Sequence, residues 1–319
     1  MSSDLITRRT APVAAGRPFT WRASLGLGAV LAAAIVAMLW LDPYSIKLLA
    51  KIFALWIVVL GLQLLITHAG VLSLGHGAFV AVGAYVAGLL SLSGAHSLWL
   101  MLGAVALACI AAGLLVGAAV LRSQGLYQLM ATLAVAQMAY YGLQSLRALG
   151  GDDGFALTIR PSILGDWSLE SDGALGCAAV VLAGVCAALA TRLCRSEFGA
   201  YMQSGRDDER RLASLGVNPF TVKLVAFVVS AVFAGLGGAM LAHLSRFASP
   251  QLGHWLFSGE LMVLVVLGGA ATRLGPLLAC AALVLLQELL AQYTDHWLLA
   301  LGLLVLVRVL WPVRGRAQP

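Results

Sequence analysis

Two glutamates, Glu260 and Glu288, stand inside long apolar stretches of this 319-residue sequence. An ionised carboxylate at the centre of a bilayer costs about 2.5–3.5 kcal/mol on insertion scales, so each of them needs a partner or a function. One interpretation is a carboxyl group that hydrogen-bonds a neighbouring helix. The alternatives are contact with the ammonium group of a substrate or a proton relay, and the relay would be typical of a secondary transporter.

A second set of polar side chains lies along the apolar segment 125–146. Gln137, Tyr141 and Gln144 are spaced i, i+4, i+7, so they share one face of a helix. A polar face in lipid must point inward, toward a neighbouring helix or an aqueous path. Both alternatives stay open for this face, which is either a set of interhelical hydrogen bonds or part of a translocation path.

The segment 70–93 is rich in glycine and alanine. Small residues repeat in it at helical spacing, as at Gly77 and Ala81, and this pattern lets helix backbones approach closely. Near its start, Ser73 and His76 are polar and are followed by Phe79. The pattern fits a plain packing helix in which His76 bonds a neighbour, but it also fits a broken helix that lines a cavity.

The segment 192–222 is a long polar stretch between two strongly apolar blocks. Six charged residues stand side by side at positions 206–211, and the free-energy cost of placing them in a bilayer core would be high. This segment therefore lies in water. Ser204 is predicted as the N-cap of a short helix, and Gly216 as the glycine that ends it.

The same segment carries two apolar side chains, Leu212 and Leu215, on one face of that short helix. Asn218 and Pro219 are typical of the N-cap and first residue of the following helix. A short helix across the end of a membrane bundle would suit the docking of a soluble partner, whereas a charged run of this kind is also typical of a solvated connecting loop.

Catalytic motifs are absent from the sequence. No G-x-x-x-x-G-K-[ST] occurs, and the lysines Lys47, Lys51 and Lys223 do not follow a glycine, so the chain has no P-loop of its own. No HExxH, GxSxG or Cys/His cluster with metal-ligand spacing occurs either. We expect no catalytic residue, bound metal or cofactor in this chain, and the five cysteines are predicted to be packing residues.

Composition places the chain in a membrane. Hydrophobic residues make up 61% and charged residues 11% of the sequence, and its mean hydropathy is +0.93. The apolar blocks approach the roughly 20 residues that a helix needs to cross the hydrocarbon. We predict an all-α, polytopic bundle in the lipid bilayer. The net charge of +6 does not indicate nucleic acid, because the basic residues fall in alternating loops.

The distribution of Lys and Arg predicts the orientation of the bundle. The tail 1–23 and the tail 314–319 are basic and are predicted to be cytoplasmic, on either side of a permease domain at 24–313. The acidic loop 147–173 is predicted to face the periplasm. Lys47 and Lys51 are the main exception to this rule. About ten spans are predicted, at 24–41, 46–66, 70–93, 97–121, 125–146, 174–191, 223–245, 256–271, 277–293 and 297–311.

Several ordered motifs resemble the permease subunits of branched-chain amino acid ABC transporters, in particular the M-type subunit. The resemblance covers about residues 46–313. It is carried by LSLGHGAF at 72–79, GGDDGF at 150–155, RDDE at 206–209 and the stretch from Ala213 to Asn218. The sequence departs from the family's glycine-rich turn at Ala271 and Thr272, where the family usually has glycine and threonine.

The resemblance implies a function and a set of partners. It implies a permease in the inner membrane of a bacterium, paired with a second homologous permease, two ATPase subunits that bind ATP and Mg²⁺, and a periplasmic solute-binding protein. It implies branched-chain or related amino acids as substrates, with urea and short amides carried by relatives. A stand-alone proton-coupled secondary transporter is the alternative from a different class, with Glu260 or Glu288 as its titrating group.

The resemblance also implies roles for individual residues. The segment 192–222 looks like the cytoplasmic loop that such importers insert into a groove of the ATPase subunit. Its candidate coupling residues are Arg206, Asp207, Asp208, Glu209, Ala213 and Gly216. Together with the residues singled out by their chemistry, the candidates for the translocation path are Ser73, His76, Phe79, Gln137, Tyr141, Gln144 and Glu260.

Overall fold

The computed structural model of the protein describes residues 21–38, 40–94, 97–162, 169–269 and 274–291, together with residues 299, 302, 303 and 306. The described residues form eleven α-helices and one two-stranded ribbon. The helices are α1 Trp21–Met38, α2 Pro43–Ala69, α3 His76–Leu92, α4 Leu98–Val120, α5 Leu126–Ser145, α6 Asp172–Arg195, α7 Glu197–Asp207, α8 Glu209–Ser214, α9 Pro219–Ser245, α10 Trp255–Gly268 and α11 Gly275–Ala291.

The helices are those of a membrane protein. Four of them, α2, α4, α6 and α9, are long and apolar enough to cross a bilayer. Shorter apolar helices cover 28–38, 76–92, 255–268 and 275–290. The predicted all-α membrane bundle is confirmed at this level. The predicted span at 297–311 falls on residues of which only four are described.

The centre of the bundle is built from α2, α3 and α9. Along α2, an unbroken run of side chains from Ile52 to Leu62 is buried, and α3 is buried almost all round. These two helices and α9 therefore form the interior of the bundle. By contrast, α4 buries one stripe of residues on α9, and its other faces are exposed.

Small residues let the central backbones come close. A methyl group added at Gly83 of α3 would collide with the backbone of Gly235 in α9. Gly113 and Gly117 of α4 also face α9, where Gly117 lies against Leu224 and Phe227. Glycines at these positions let the helix backbones pack closely.

One end of the bundle is closed by the short helices α7 and α8. The last turn of α2, the loop between α4 and α5 and the start of α9 all meet residues of α7 or α8 there. Asn218 caps α9 by accepting a hydrogen bond from the Phe220 amide at 3.0 Å, and Pro219 is its first residue, as predicted.

The opposite end carries the described parts of the loop before α6, residues 147–162 and 169–171, and the ribbon. Strand β1 (Phe155–Ala156) pairs antiparallel with β2 (Phe247–Ala248), and Phe155 stands opposite Ala248. Lys47, near the start of α2, forms an ion pair with Asp172 at 3.2 Å. Arg160 of the loop also binds Asp172, at 2.6 Å.

The structure decides between the two alternatives for the segment 70–93, and it corrects one local prediction. The segment is not one continuous helix, because residues 70–75 are irregular, Gly70 is in the left-handed region with φ +68°, and α3 begins at His76. Ser204 lies inside α7 and is not an N-cap. Asp208 caps α8 instead, because its extended backbone interrupts the helix and its carboxylate accepts from the amides of Arg210 and Arg211.

Some predictions fall outside the described residues. They are those for positions 1–20 of the N-terminal tail, for the tail 314–319 and for the departure at Ala271 and Thr272.

Candidate functional site

The α7–α8 segment (residues 197–214) is attached to the bundle through the charged residues that the sequence singled out. Arg206 donates a hydrogen bond to the Thr67 carbonyl oxygen in the last turn of α2 and contacts its neighbour Asp207 at 3.0 Å. Glu209 pairs with Lys223 of α9 and accepts a hydrogen bond from Gln124 at 3.4 Å. These bonds hold the segment against three parts of the bundle.

The outer surface next to this segment carries one exposed leucine, Leu215. Leu212 is fully buried, because it packs into the bundle, whereas Leu215 is 68% exposed. Ala213 and Gly216 on either side are also exposed. Gly216 has φ +80°, which glycine adopts without strain, and this confirms its predicted place after the end of α8. Leu215 is therefore an exposed leucine next to the turn at Gly216.

A buried polar node lies at the start of α3. Ser73 Oγ lies 3.2 Å from His76 Nδ1, and His76 Nε2 lies 2.6 Å from Ser230 Oγ on α9. The Gly77 amide donates to Ser258 Oγ of α10 at 2.9 Å. The Leu74 amide donates to Thr132 Oγ1 of α5 at 3.0 Å. Four helices meet in this node.

The polar groups of the node hydrogen-bond to one another. Both ring nitrogens of His76 have partners, and side-chain hydroxyls take up the Gly75 and Gly77 amides, which would otherwise be orphan donors at a helix start. Phe79 covers it, with its ring centroid 6.1 Å from His76 and 5.6 Å from Phe227. The structure thus brings Ser73, His76 and Phe79 together and ties their polar atoms within the chain.

The polar side chains of α5 are divided between two faces. The buried face consists of Gln128, Thr132, Ala136 and Tyr140. Gln144 donates to the Tyr140 hydroxyl at 2.8 Å, and Gln137 is half-buried with an unpartnered side-chain oxygen. Tyr141 is 61% exposed on the outside of this chain. Packing of Tyr140 on His254, with ring centroids 5.0 Å apart, sets this rotation of the helix.

A cavity of about 260 Å³ lies between α2, α9, α10 and α11. Glu260 of α10, Lys51 of α2 and Gln287 of α11 are the polar residues of its lining. Gln287 accepts a hydrogen bond from the Lys51 ammonium at 3.5 Å. The remaining walls are apolar and are formed by Leu55, Leu241, Leu252, Phe257, Leu261, Leu264 and Leu283.

Glu260 is half-buried in the wall of this cavity. Within the described residues, its carboxyl group makes neither a hydrogen bond nor an ion pair. Glu288, the other membrane glutamate, accepts a hydrogen bond from the Tyr44 hydroxyl at the start of α2. Glu288 is therefore a tie between two helices, and Glu260 is a carboxyl group beside a cavity without a partner among the described residues.

The sequence did not single out every residue of these sites. Ser230 and Ser258 complete the node, and Lys51 and Gln287 face the cavity. One signal for Lys51 was available, because it violates the orientation rule for basic residues. The two serines carry no such signal, since single serines are common in membrane helices as packing residues.

Comparison with known proteins identifies the family. Residues 44–310 match the family model described as the branched-chain amino acid transport system / permease component. The chain is also 29% identical over 314 residues to the high-affinity branched-chain amino acid transport system permease protein LivM of Salmonella typhimurium and to that of Escherichia coli, covering 90% of this chain and 73% of each relative. No solved structure matches it. The family match spans most of the sequence, and the chain is a member of the family of branched-chain amino acid transport permeases.

Proposed function

We propose that this chain is one of two homologous permease subunits of an ATP-driven importer for branched-chain or related amino acids in the bacterial inner membrane. Family membership supports the permease role, and the names of the two relatives support the substrate class. The partner ATPase subunits would bind ATP and Mg²⁺, and a periplasmic binding protein would deliver the solute.

The proposed topology has ten membrane segments with both termini in the cytoplasm. Nine described helices other than α7 and α8 contribute, and the apolar stretch 297–311 would supply the tenth. The helices α3 and α10 are shorter than the roughly 20 residues of a full span. The irregular segment 70–75 precedes α3, and a 3₁₀ helix, Pro250–Gly253, precedes α10. Arg122, Arg192, Arg195, Arg210 and Arg211 at the α7–α8 end support a cytoplasmic placement of that end.

The observation that carries the proposal is the construction of the α7–α8 segment. Two of its charged residues, Arg206 and Glu209, bond to α2, α9 and the α4–α5 loop, and these bonds hold the segment against the bundle. Leu215 projects from it into water at the turn formed by Gly216. A fixed apolar side chain of this kind suits insertion into a groove of an ATPase subunit.

The opposite end of the bundle would receive the binding protein. Its loop presents exposed Asp152, Asp153 and Glu170, while Arg160 and the β1–β2 pair hold the loop to the helices. An acidic surface on a fixed loop would steer a partner with a complementary basic surface. This placement agrees with an outward-facing loop 147–173.

The test of the proposal is substitution of Leu215 in the complete transporter. In proteoliposomes containing both permeases and the ATPase subunits, Leu215→Asp should abolish uptake and the ATP hydrolysis stimulated by loaded binding protein. Gln203→Asp adds the same charge to an exposed position of α7 and should leave both activities intact. Full uptake with Leu215→Asp would refute the docking role.

A further inference from the structure

The cavity between α2, α9, α10 and α11 has two charged groups of opposite sign at its wall. Lys51 and Glu260 both face it and do not form an ion pair with each other in the described part of the chain. Charged residues in a membrane helix usually pair, and those that face a cavity mark a path for a substrate or an ion. Lys51 is hydrogen-bonded to Gln287, whereas Glu260 has no partner in the described part of the chain and is available to a further species.

We propose that this cavity binds the amino acid during translocation, with Glu260 receiving its α-ammonium group and Lys51 its α-carboxylate. The inference rests on the proposed function and assigns its substrate site. A zwitterion carries both charges on adjacent atoms, so it would satisfy the two side chains at once. Gln287 would hold the Lys51 ammonium in place through its amide oxygen, which lies 3.5 Å away.

The apolar lining of the cavity suits the aliphatic side chain of the amino acid. Its walls are leucines, among them Leu55, Leu264 and Leu283, and provide an apolar surface for an aliphatic side chain. The cavity volume of about 260 Å³ is several times the roughly 30 Å³ that one water takes in the liquid. It has room for a small molecule of this class.

This arrangement distinguishes zwitterions from other small solutes. A neutral amide or urea has no charge to offer Glu260 or Lys51 and would leave both unsatisfied in an apolar wall, which is costly. An amine would pair with Glu260 alone, and a carboxylic acid with Lys51 alone. The cavity therefore favours a neutral aliphatic amino acid over each of these.

The buried node at the start of α3 does not compete for this role. His76 has partners on both ring nitrogens, and the neighbouring amides are taken up by Ser73 and Ser258, so few polar groups are left for a solute there. Glu288 is likewise engaged by Tyr44. Among the described membrane glutamates, Glu260 is the one left for an external partner.

The experiment uses the complete transporter in proteoliposomes, with radiolabelled L-leucine as the probe, saturated binding protein outside and ATP inside. Glu260→Gln and Lys51→Gln should each lower leucine uptake about tenfold or more, because one charge of the zwitterion loses its partner. ATP hydrolysis stimulated by the binding protein should persist in both variants, because neither residue touches the α7–α8 segment.

Glu288→Gln is the matched control. It removes a membrane carboxylate that bonds Tyr44 and does not face the cavity, and it should retain leucine uptake. A second measurement guards against misfolding: Glu260→Asp, which keeps the charge, should recover part of the uptake that Glu260→Gln loses, at equal amounts of assembled complex.

The results distinguish failure of the cavity assignment from failure of the importer function. Uptake in Glu260→Gln and Lys51→Gln equal to that in Glu288→Gln would overturn the assignment of the cavity while leaving the importer function standing. Absence of ATP-driven leucine uptake in the wild-type transporter would overturn the proposed function and the inference with it. Equal losses of uptake in Glu260→Asp and Glu260→Gln would also contradict a role for the carboxylate charge.

Discussion

Arg206, at the end of α7, donates a hydrogen bond to the main-chain carbonyl oxygen of Thr67 in the last turn of α2. The carbonyl groups at the end of a helix have no partner within it and carry partial negative charge, so a guanidinium there is stabilising. The contact joins α2, at the centre of the bundle, to the segment that we propose docks on the ATPase. Movement of that segment would act directly on the end of α2.

Replacing Arg206 with alanine should loosen this junction. The contact is partly exposed, so we expect a loss of only about 0.5–1 kcal/mol in the stability of the subunit. The fraction of monodisperse protein after heating in detergent measures it. Arg210→Ala removes the same charge nearby, from a side chain with no described bond, and should leave the heating curve unchanged. Equal curves for the two variants would contradict the role of Arg206.

Gly216 should be sensitive to the type of side chain placed there. Its φ of +80° strains a β-branched residue, whereas nothing lies within 4 Å of an added Cβ. We expect Gly216→Val to cost about 1 kcal/mol or more and to displace Leu215, lowering uptake and stimulated ATP hydrolysis together while membrane insertion persists. Gly216→Asn tolerates this backbone and should keep most of both activities. Full transport by Gly216→Val would refute the importance of the turn.

His76 and Ser230 should behave as one unit. Ser230→Ala leaves a ring nitrogen of the buried His76 without a partner, and His76→Leu does the same to the serine hydroxyls, so each change should cost about 1–3 kcal/mol. The double variant should be more stable than the sum of the single losses predicts, by about 0.5 kcal/mol or more. Chemical unfolding in detergent gives the four stabilities, and strict additivity would show that the bond contributes nothing.

The rotation of α5 can be tested by thiol labelling of the isolated subunit, after replacement of Cys109, Cys177, Cys186, Cys194 and Cys280. Ala136→Cys lies on the buried face and should be protected, whereas Tyr141→Cys should be labelled. Labelling of both positions alike would contradict the packing of this helix.

Gln137 and Gln144 remain candidates for the translocation path. In the complete transporter, cysteines at these two positions should be reached by a water-soluble thiol reagent if they border an aqueous path, and leucine should then slow the reaction. Labelling by a lipid-phase probe only would place them at the bilayer and remove them from the path.

Much of the helical framework was predictable from local signals. Runs of apolar residues predicted most of the long helices, Asn218 and Pro219 predicted the start of α9, and Gly216 predicted the end of α8. The interruption at Asp208 was not predictable in the same way. Either a continued helix or a new N-cap fits that stretch, because Ser204 and Asp208 are both good capping residues.

The sites depend on contacts that local patterns do not encode. Gln137, Tyr141 and Gln144 share a face by spacing, but Tyr140 packs on His254 and turns the neighbouring Tyr141 outward. Lys51, Glu260 and Gln287 are far apart in sequence and meet only through the packing of α2, α10 and α11. Tertiary packing decides which polar residue of a membrane helix faces a cavity.

The energy source of uptake tests the central claim most directly. Leucine uptake into proteoliposomes of the complete transporter should require internal ATP, the partner subunits and the binding protein. Addition of an uncoupler at constant ATP should leave the rate unchanged, because no step of the proposed mechanism needs a proton gradient. Loss of uptake with the uncoupler, together with uptake driven by an imposed proton gradient without ATP, would contradict the account and indicate a proton-coupled secondary transporter.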